Sequence, residues 1–216
     1  VIAEGKIEPD KYLAMDSGTV QKTVRGIATR EPVYGLPALW IAASDKETAE
    51  MDGYTVIDPE SVLITHLSET LMRHAHELLS REDVHQLLER LRKVQPSLVG
   101  EVVPEQVSAG LVQRVLQNLL KEGVSIRDLP RILEALGEHA GRTKNAALLT
   151  ECARKALART IIGQHKKSDG KIYAITLDPA LEHPLLSCVQ QGPDAITLSI
   201  PPEAASQINQ AAAQCW

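Results

Sequence analysis

The sequence predicts an α+β fold of several subdomains, with small α/β subdomains at both ends flanking an all-helical one. Three observations carry this. Between residues 81 and 164 apolar positions recur at three- and four-residue spacing, the period of a helix face. Before residue 58 and after residue 170, short runs rich in β-branched and aromatic residues lie between Pro, Gly and Asp punctuation, the composition of strands and turns. Of the 216 residues, 44% are hydrophobic and 24% charged, enough for a real core in one large domain or two to three small ones.

Residues 1–30 read as strand- and turn-rich, with turns at Pro9-Asp10 and Asp16-Ser17-Gly18. The next segment, Glu31-Pro32-Val33-Tyr34-Gly35-Leu36-Pro37-Ala38-Leu39-Trp40-Ile41, bends around a tyrosine and releases into an apolar run. The chain has four Tyr, two Trp and no Phe, yet Tyr34, Trp40 and Tyr54 crowd into this one region. Two readings stay open. The aromatics form a protein-binding surface, where such residues are enriched as hot spots, or they are the core of a structural corner.

Residues 44–52 predict a short helix, with Ser44 as N-cap, Glu47 completing a capping box and Gly53 ending it in the left-handed conformation. Tyr54-Thr55-Val56-Ile57 is a strand. Asp58-Pro59-Glu60 opens a helical pattern through Val62, Leu63, His66, Leu67, Thr70, Leu71, His74 and Leu78, which runs to about residue 92. A fresh cap at Ser80 places a second helix at 81–93, stopped by Pro96. A further helix starts near Ser108, faces inward with Leu111, Val112, Val115, Leu116, Leu119 and Leu120, and stops at Gly123. Residues 125–136 hold the next, where Pro130 must sit in the first turn, making Asp128 or Ser125 the N-cap. Residues 146–164 form one more, with Leu148, Leu149, Cys152, Ala156 and Ile161 inward. A polar turn at 166–170, a strand at 171–177, a short helix at 180–190, a strand at 195–200 and a helix from Pro201 to Trp216 complete a terminal α/β unit.

The chemistry is sparse. A net charge of −5 argues against a nucleic-acid or anionic-membrane surface as the main partner. Cys152, Cys188 and Cys215 are odd in number and widely spaced, which supports neither a disulfide framework nor a zinc ribbon and fits a reducing compartment. No apolar run reaches 18 residues. Val1 opens the chain without a Met, so a fragment of a longer, partly membranous protein is expected. His66, His74, His76 and His85 fail a metal test: 74 and 76 face apart, and 66 and 74 are about 12 Å apart along a helix. Nucleophile and phosphate-binding motifs are missing, so no cofactor is expected and a binding role outweighs an enzymatic one.

The segment from Glu31 to Ile41 resembles the DPAFGLxAxWI segment of the FlhA family, also called FHIPEP, the flagellar type III export gate. Gly53-Tyr54-Thr55-Val56-Ile57-Asp58, Ser61-Val62-Leu63-Ile64-Thr65-His66-Leu67, Arg73-His74-Ala75-His76-Glu77-Leu78-Leu79, the run from Val115 to Asp128 and Leu157-Ala158-Arg159 also resemble that family's runs. Order and spacing are kept over roughly residues 5–190.

The resemblance implies a cytoplasmic C-terminal half of an integral inner-membrane protein, attached through a segment preceding Val1. It implies four subdomains: a partial first at 1–9 and 59–80, an inserted second at 10–58, a helical third at 81–160 and a partial fourth at 161–216. The implied role is a docking platform, not an enzyme, that receives export chaperones carrying late substrates and orders their export. Other implied partners are the ATPase complex and switch protein of the gate, with a homo-nonameric ring in the intact protein and no nucleic acid. The family's chaperone-binding dimple falls on Glu31, Tyr34 and Thr65, with Pro32, Gly35 and Leu36 around the aromatic and apolar contacts at Leu13, Met15, Ile57 and Val62. The expectation is an aromatic anchor in an apolar dimple with a carboxylate and a hydroxyl on its rim. Glu31 stands where the family usually has Asp, and Tyr34 where it has Phe. The alternative is the gate of a virulence-type secretion apparatus, an injectisome.

Overall fold

The computed structural model describes residues 3–174, 176–191 and 196–214. The chain divides into two compact units, Val1–His74 and Ala75–Trp216.

The first unit is built on strands β1 (Lys11–Met15), β2 (Ile27–Arg30), β3 (Pro37–Ala42) and β4 (Thr55–Ile57), with helices α1 (Lys46–Met51) and α2 (Pro59–Arg73). The sheet order is β2-β3-β1-β4, antiparallel throughout. Register sorts the side chains by the two-residue period of a strand. Leu13 pairs with Trp40 and Ile57. These side chains join Ala38, Met15 and, from α2, Val62 in one cluster. The alternate positions Ala14 and Ile41 pack with Ala49 of α1 and Tyr54 on the other face. The apolar run after Tyr34 is therefore a central strand, a role its Pro and Gly punctuation disguised.

The expected cap of the short helix moves. Ala43–Asp45 form a 3-10 turn, α1 starts at Lys46 and Asp45 is its N-cap without a side-chain bond. Ser44 Oγ instead donates to Asp45 Oδ1 at 3.2 Å. Gly53 has φ +94°, and a Cβ there would lie 2.6 Å from the Thr19 carbonyl oxygen, so glycine is required twice over. Asp58 caps α2 by accepting from Ser61 N at 2.7 Å.

The second unit is mainly helical: α3 (Ala75–Leu78), α4 (Arg81–Val94), α5 (Pro96–Val102), α6 (Ala109–Lys121), α7 (Leu129–Ala140), α8 (Ala146–Ala156), α9 (Ala158–His165), α10 (Pro179–Ser187) and α11 (Pro202–Gln214). Strands β5 (Val189–Gln191) and β6 (Ile196–Leu198) pair antiparallel. One core runs from Val84 to Leu157. Caps fix its helices. Ser80 and Asp83 form a reciprocal capping box on α4, Ser108 caps α6, and Asp128 caps α7 with Pro130 in the first turn. Gln113 and Gln117 both donate to the Leu79 carbonyl, at 3.0 and 3.1 Å, partnering a backbone oxygen at the end of α3.

α4 ends at Val94, just before Pro96, as expected, and Pro96 also starts α5, because a helix's first positions need no N–H donor. Other expectations fail here. The helix expected at 146–164 breaks at Leu157, whose ψ is 7°. Its inner stripe is Leu149, Thr150, Ala153 and Leu157; Leu148, Cys152, Ala156 and Ile161 are half-buried. Thr150 is admitted because its hydroxyl donates to the Ala146 carbonyl at 2.7 Å and accepts from Asn118 Nδ2 at 3.1 Å. The strand expected at 171–177 is not present among its described residues, and Ile175 lies outside them. The helix expected at 180–190 ends at Ser187, and its tail is β5. Trp216 and Cys215 lie outside the described residues; Cys152 and Cys188 are free thiols.

Candidate functional site at a hairpin tip

The bent segment is the loop of the β2–β3 hairpin. Arg30 pairs with Pro37 at the last register position, and Glu31 N donates to the Leu36 carbonyl at 2.9 Å, adding one rung. That leaves Pro32, Val33, Tyr34 and Gly35 as a four-residue loop, a common hairpin length. Gly35 N donates back to the Glu31 carbonyl at 3.0 Å. Gly35 sits at φ +69°, and a Cβ there would meet nothing within 4 Å, so its backbone conformation, not space, demands glycine.

Two side chains hold this loop. Glu31 is 7% exposed, and its carboxylate faces inward: Oε1 accepts from Val33 N at 2.9 Å and Oε2 from Tyr34 N at 2.6 Å. Arg30 Nη1 donates to the Gly35 carbonyl at 2.8 Å. Both carboxylate oxygens and one guanidinium arm are thus spent on loop backbone. Charge-assisted bonds of this kind are the strong class. The result is a tyrosine held out on a fixed turn, with 72% of its surface exposed.

The aromatics divide accordingly. Trp40 and Tyr54 are core, while Tyr34 is solvent-facing. The Trp40 indole N–H is buried without an acceptor among the described residues. Pro32 and Gly35 are half-buried and Leu36 is exposed beside Tyr34. On their other side Pro32 and Val33 line a small cleft with His66, Thr70 and Arg73 of α2. A Cβ on Gly5 would lie 3.3 Å from the His66 ring and 3.4 Å from Pro32 Cβ, so these three groups are close neighbours.

The expected site residues fall into three places. Glu31, Pro32, Tyr34, Gly35 and Leu36 share the hairpin loop. Leu13, Met15, Ile57 and Val62 come together in a single cluster with Trp40. Thr65 is exposed on α2, not packed inside the helix interface. Two expectations are corrected. Leu13 is fully buried, so it acts only by packing under the surface. Glu31 is not a rim carboxylate with free oxygens; its longer side chain folds back onto the loop's amides. Arg30 was missed, since an arginine ending a strand carries no signal in sequence that its guanidinium will reach a carbonyl five residues on. A row of large apolar side chains on α2 (Leu63, Ile64, Leu67, Leu71 and Met72) is also exposed. Among the described residues, no group of three His, Cys, Asp or Glu converges as a metal site, and no helix is long and apolar enough to cross a membrane.

The architecture places the chain in a known structural class. Its fold is that of the cytosolic domain of EscV from the type III secretion system, solved as a nonamer, with a TM-score of 0.68 and 24% identity over 96% of this chain and 62% of that one. The Chlamydia pneumoniae CdsV protein superposes with a TM-score of 0.80 at 27% identity, covering 97% of this chain and 60% of that one. In sequence, the flagellar biosynthesis protein FlhA of Bacillus subtilis (strain 168) is 41% identical over 207 residues, 96% of this chain. The FHIPEP family model matches residues 1–216, and the chain belongs to that family. It spans about three-tenths of the length of the curated relatives it matches: 31% for the Bacillus protein.

Proposed function

We propose that this chain is the docking region of a flagellar export gate, and that the hairpin tip bearing Tyr34 receives export chaperones carrying late substrates. The observation that carries the reading is Tyr34 itself. A large aromatic in a chain poor in aromatics stands exposed on a loop whose backbone is already fixed. A rigid aromatic anchor costs little further ordering on binding. Support for the flagellar system comes from the 41% identity to FlhA. On this reading the chain works by binding and not by catalysis, and it lies at the cytoplasmic face of the inner membrane. It contributes to a nine-membered ring in the intact protein and contacts further export components, among them the ATPase complex and switch protein. The four-part division into subdomains, with the second inserted in the first, belongs to the same proposal.

The reading is tested by titrating the chain with late-substrate chaperones of its own organism, charged with substrate. Tyr34→Ala is expected to weaken binding by about tenfold or more. Equal affinity of wild type and variant would remove Tyr34 from the site. The injectisome reading draws on the likeness to CdsV; needle components encoded beside the gene, in place of flagellar ones, would favour it.

A further inference from the structure

We infer that Arg30 and Glu31 are positioning residues for Tyr34, a two-sided clamp that presents the aromatic to its partner without either charge having to touch that partner. This deepens the proposed function and rests on it for the identity of the partner. The clamp itself is a property of the free chain.

The argument is one of donor and acceptor accounting. The Val33 and Tyr34 amides fall in the hairpin loop, beyond the last ladder rung, and would otherwise need water. Glu31 supplies one oxygen to each, at 2.9 and 2.6 Å. The opposite defect is the Gly35 carbonyl, which lies in the loop beyond the ladder, and Arg30 Nη1 meets it at 2.8 Å. An anion thus gathers the loop's donors and a cation its acceptor. Tyr34 supplies one of those amides and directly precedes the Gly35 carbonyl in sequence. A nearly buried carboxylate with both oxygens engaged is poorly placed to serve as a rim contact. A clamp of this kind accepts Asp or Glu, since a shorter carboxylate can also accept amides two and three residues on. It does not accept Gln without loss, because the amide nitrogen cannot accept.

The test has two arms on the full chain. Without any partner, amide hydrogen exchange at Val33 and Tyr34 is followed by NMR in wild type, Glu31→Asp, Glu31→Gln and Arg30→Met. Glu31→Gln is expected to speed exchange at one or both amides by about tenfold, while Glu31→Asp restores slow exchange. Arg30→Met is expected to raise fast-timescale motion at Tyr34 and Gly35. Unchanged exchange in Glu31→Gln overturns the clamp, whatever binds.

With a late-substrate chaperone complex as the probe, a double-mutant cycle is closed on Glu31→Gln and Tyr34→Ala. Acting through Tyr34, Glu31→Gln weakens wild-type binding several-fold and costs less than about twofold once Tyr34 is gone. If Glu31→Gln costs the same in both backgrounds, Glu31 contacts the partner directly and the inference falls. If wild type does not bind the probe, the proposed function fails, and the exchange arm still decides the clamp.

Discussion

In residues 1–74 the buried side chains are divided between the two faces of a four-stranded sheet, with Leu13, Ala38, Trp40 and Val62 on one side and Ala14, Ile41, Ala49 and Tyr54 on the other. In residues 75–216 a single cluster runs from Val84 through helices α4 to α8 and ends at Leu157. A two-faced sheet makes two thin cores, and each member carries a large share of its own. Tyr34 at the hairpin tip and the row from Leu63 to Met72 on α2 are exposed in this unit. The helical unit buries its apolar stripes against one another. The contrast is between contiguous packing in one unit and a divided core in the other.

The sharpest way to break this comparison is Trp40→Ala. Trp40 is 1% exposed and central to a small cluster. Its loss is expected to destabilise the sheet unit by about 3–5 kcal/mol, read as faster hydrogen exchange across β1 and β3. A cost below about 1 kcal/mol would mean the sheet collapses around the gap, and the thin-core argument would fail. Leu116→Ala makes the matching cut in the helical core, where Leu116 is fully buried. The expected cost is about 2–5 kcal/mol, read by urea denaturation. A value at the low end would show that a contiguous core relaxes into the cavity better than a divided one.

Much of the helical unit was legible because helix ends are local. Ser80, Ser108 and Gly123 mark their ends in the sequence, while Pro130 left Asp128 or Ser125 open as N-cap and the structure selects Asp128. What was not legible depended on distant partners. Thr150 is core only because Asn118, on another helix, satisfies it. Pro96 was legible as the stop of α4 but not as the start of α5, whose Val99 and Val102 are buried. At the site, the Pro and Gly punctuation around Tyr34 marked the bend that the structure shows as a hairpin loop. The burial of Glu31 and the reach of Arg30 depend on the hairpin's register, which pairs positions across β2 and β3 and leaves no local pattern.

A cap is worth less than a core residue, and Asn145→Ala measures the difference. Asn145 Oδ1 accepts from Ala147 N at 2.8 Å and Leu148 N at 3.3 Å at the start of α8. Its removal is expected to cost about 1 kcal/mol, checked by thermal unfolding. A cost equal to that of Leu116→Ala would place the helical unit's stability in its helix ends and not in its shared core.

Acid compares the two units through matched carboxylates. Asp58 is held below its ordinary range chiefly by the Ser61 backbone N–H, and Asp83 chiefly by the Ser80 hydroxyl. Both folded-state values lie below the unfolded ones, so the stabilisation is fully present above the usual aspartate value near 3.8 and is lost as pH falls through the lowered values. Both caps are therefore expected to hold at neutral pH and to weaken together below about pH 4, followed by exchange at the Ser61 and Asp83 amides. If only one responds, the two caps are not equivalent.

The smallest effect on stability is expected where the proposed function is concentrated. Tyr34 buries little of its ring, and the bonds that fix its loop run through its backbone and through Glu31 and Arg30, not through its phenol. Tyr34→Ala should therefore change folding stability by no more than about 0.5 kcal/mol, the range of an exposed substitution, in contrast to Trp40→Ala six residues along the same hairpin. Denaturation of the two variants side by side makes the comparison direct. A large loss on removing Tyr34 would make it a structural member of the sheet unit, and a weakened chaperone interaction in that variant would then report unfolding and not a lost anchor.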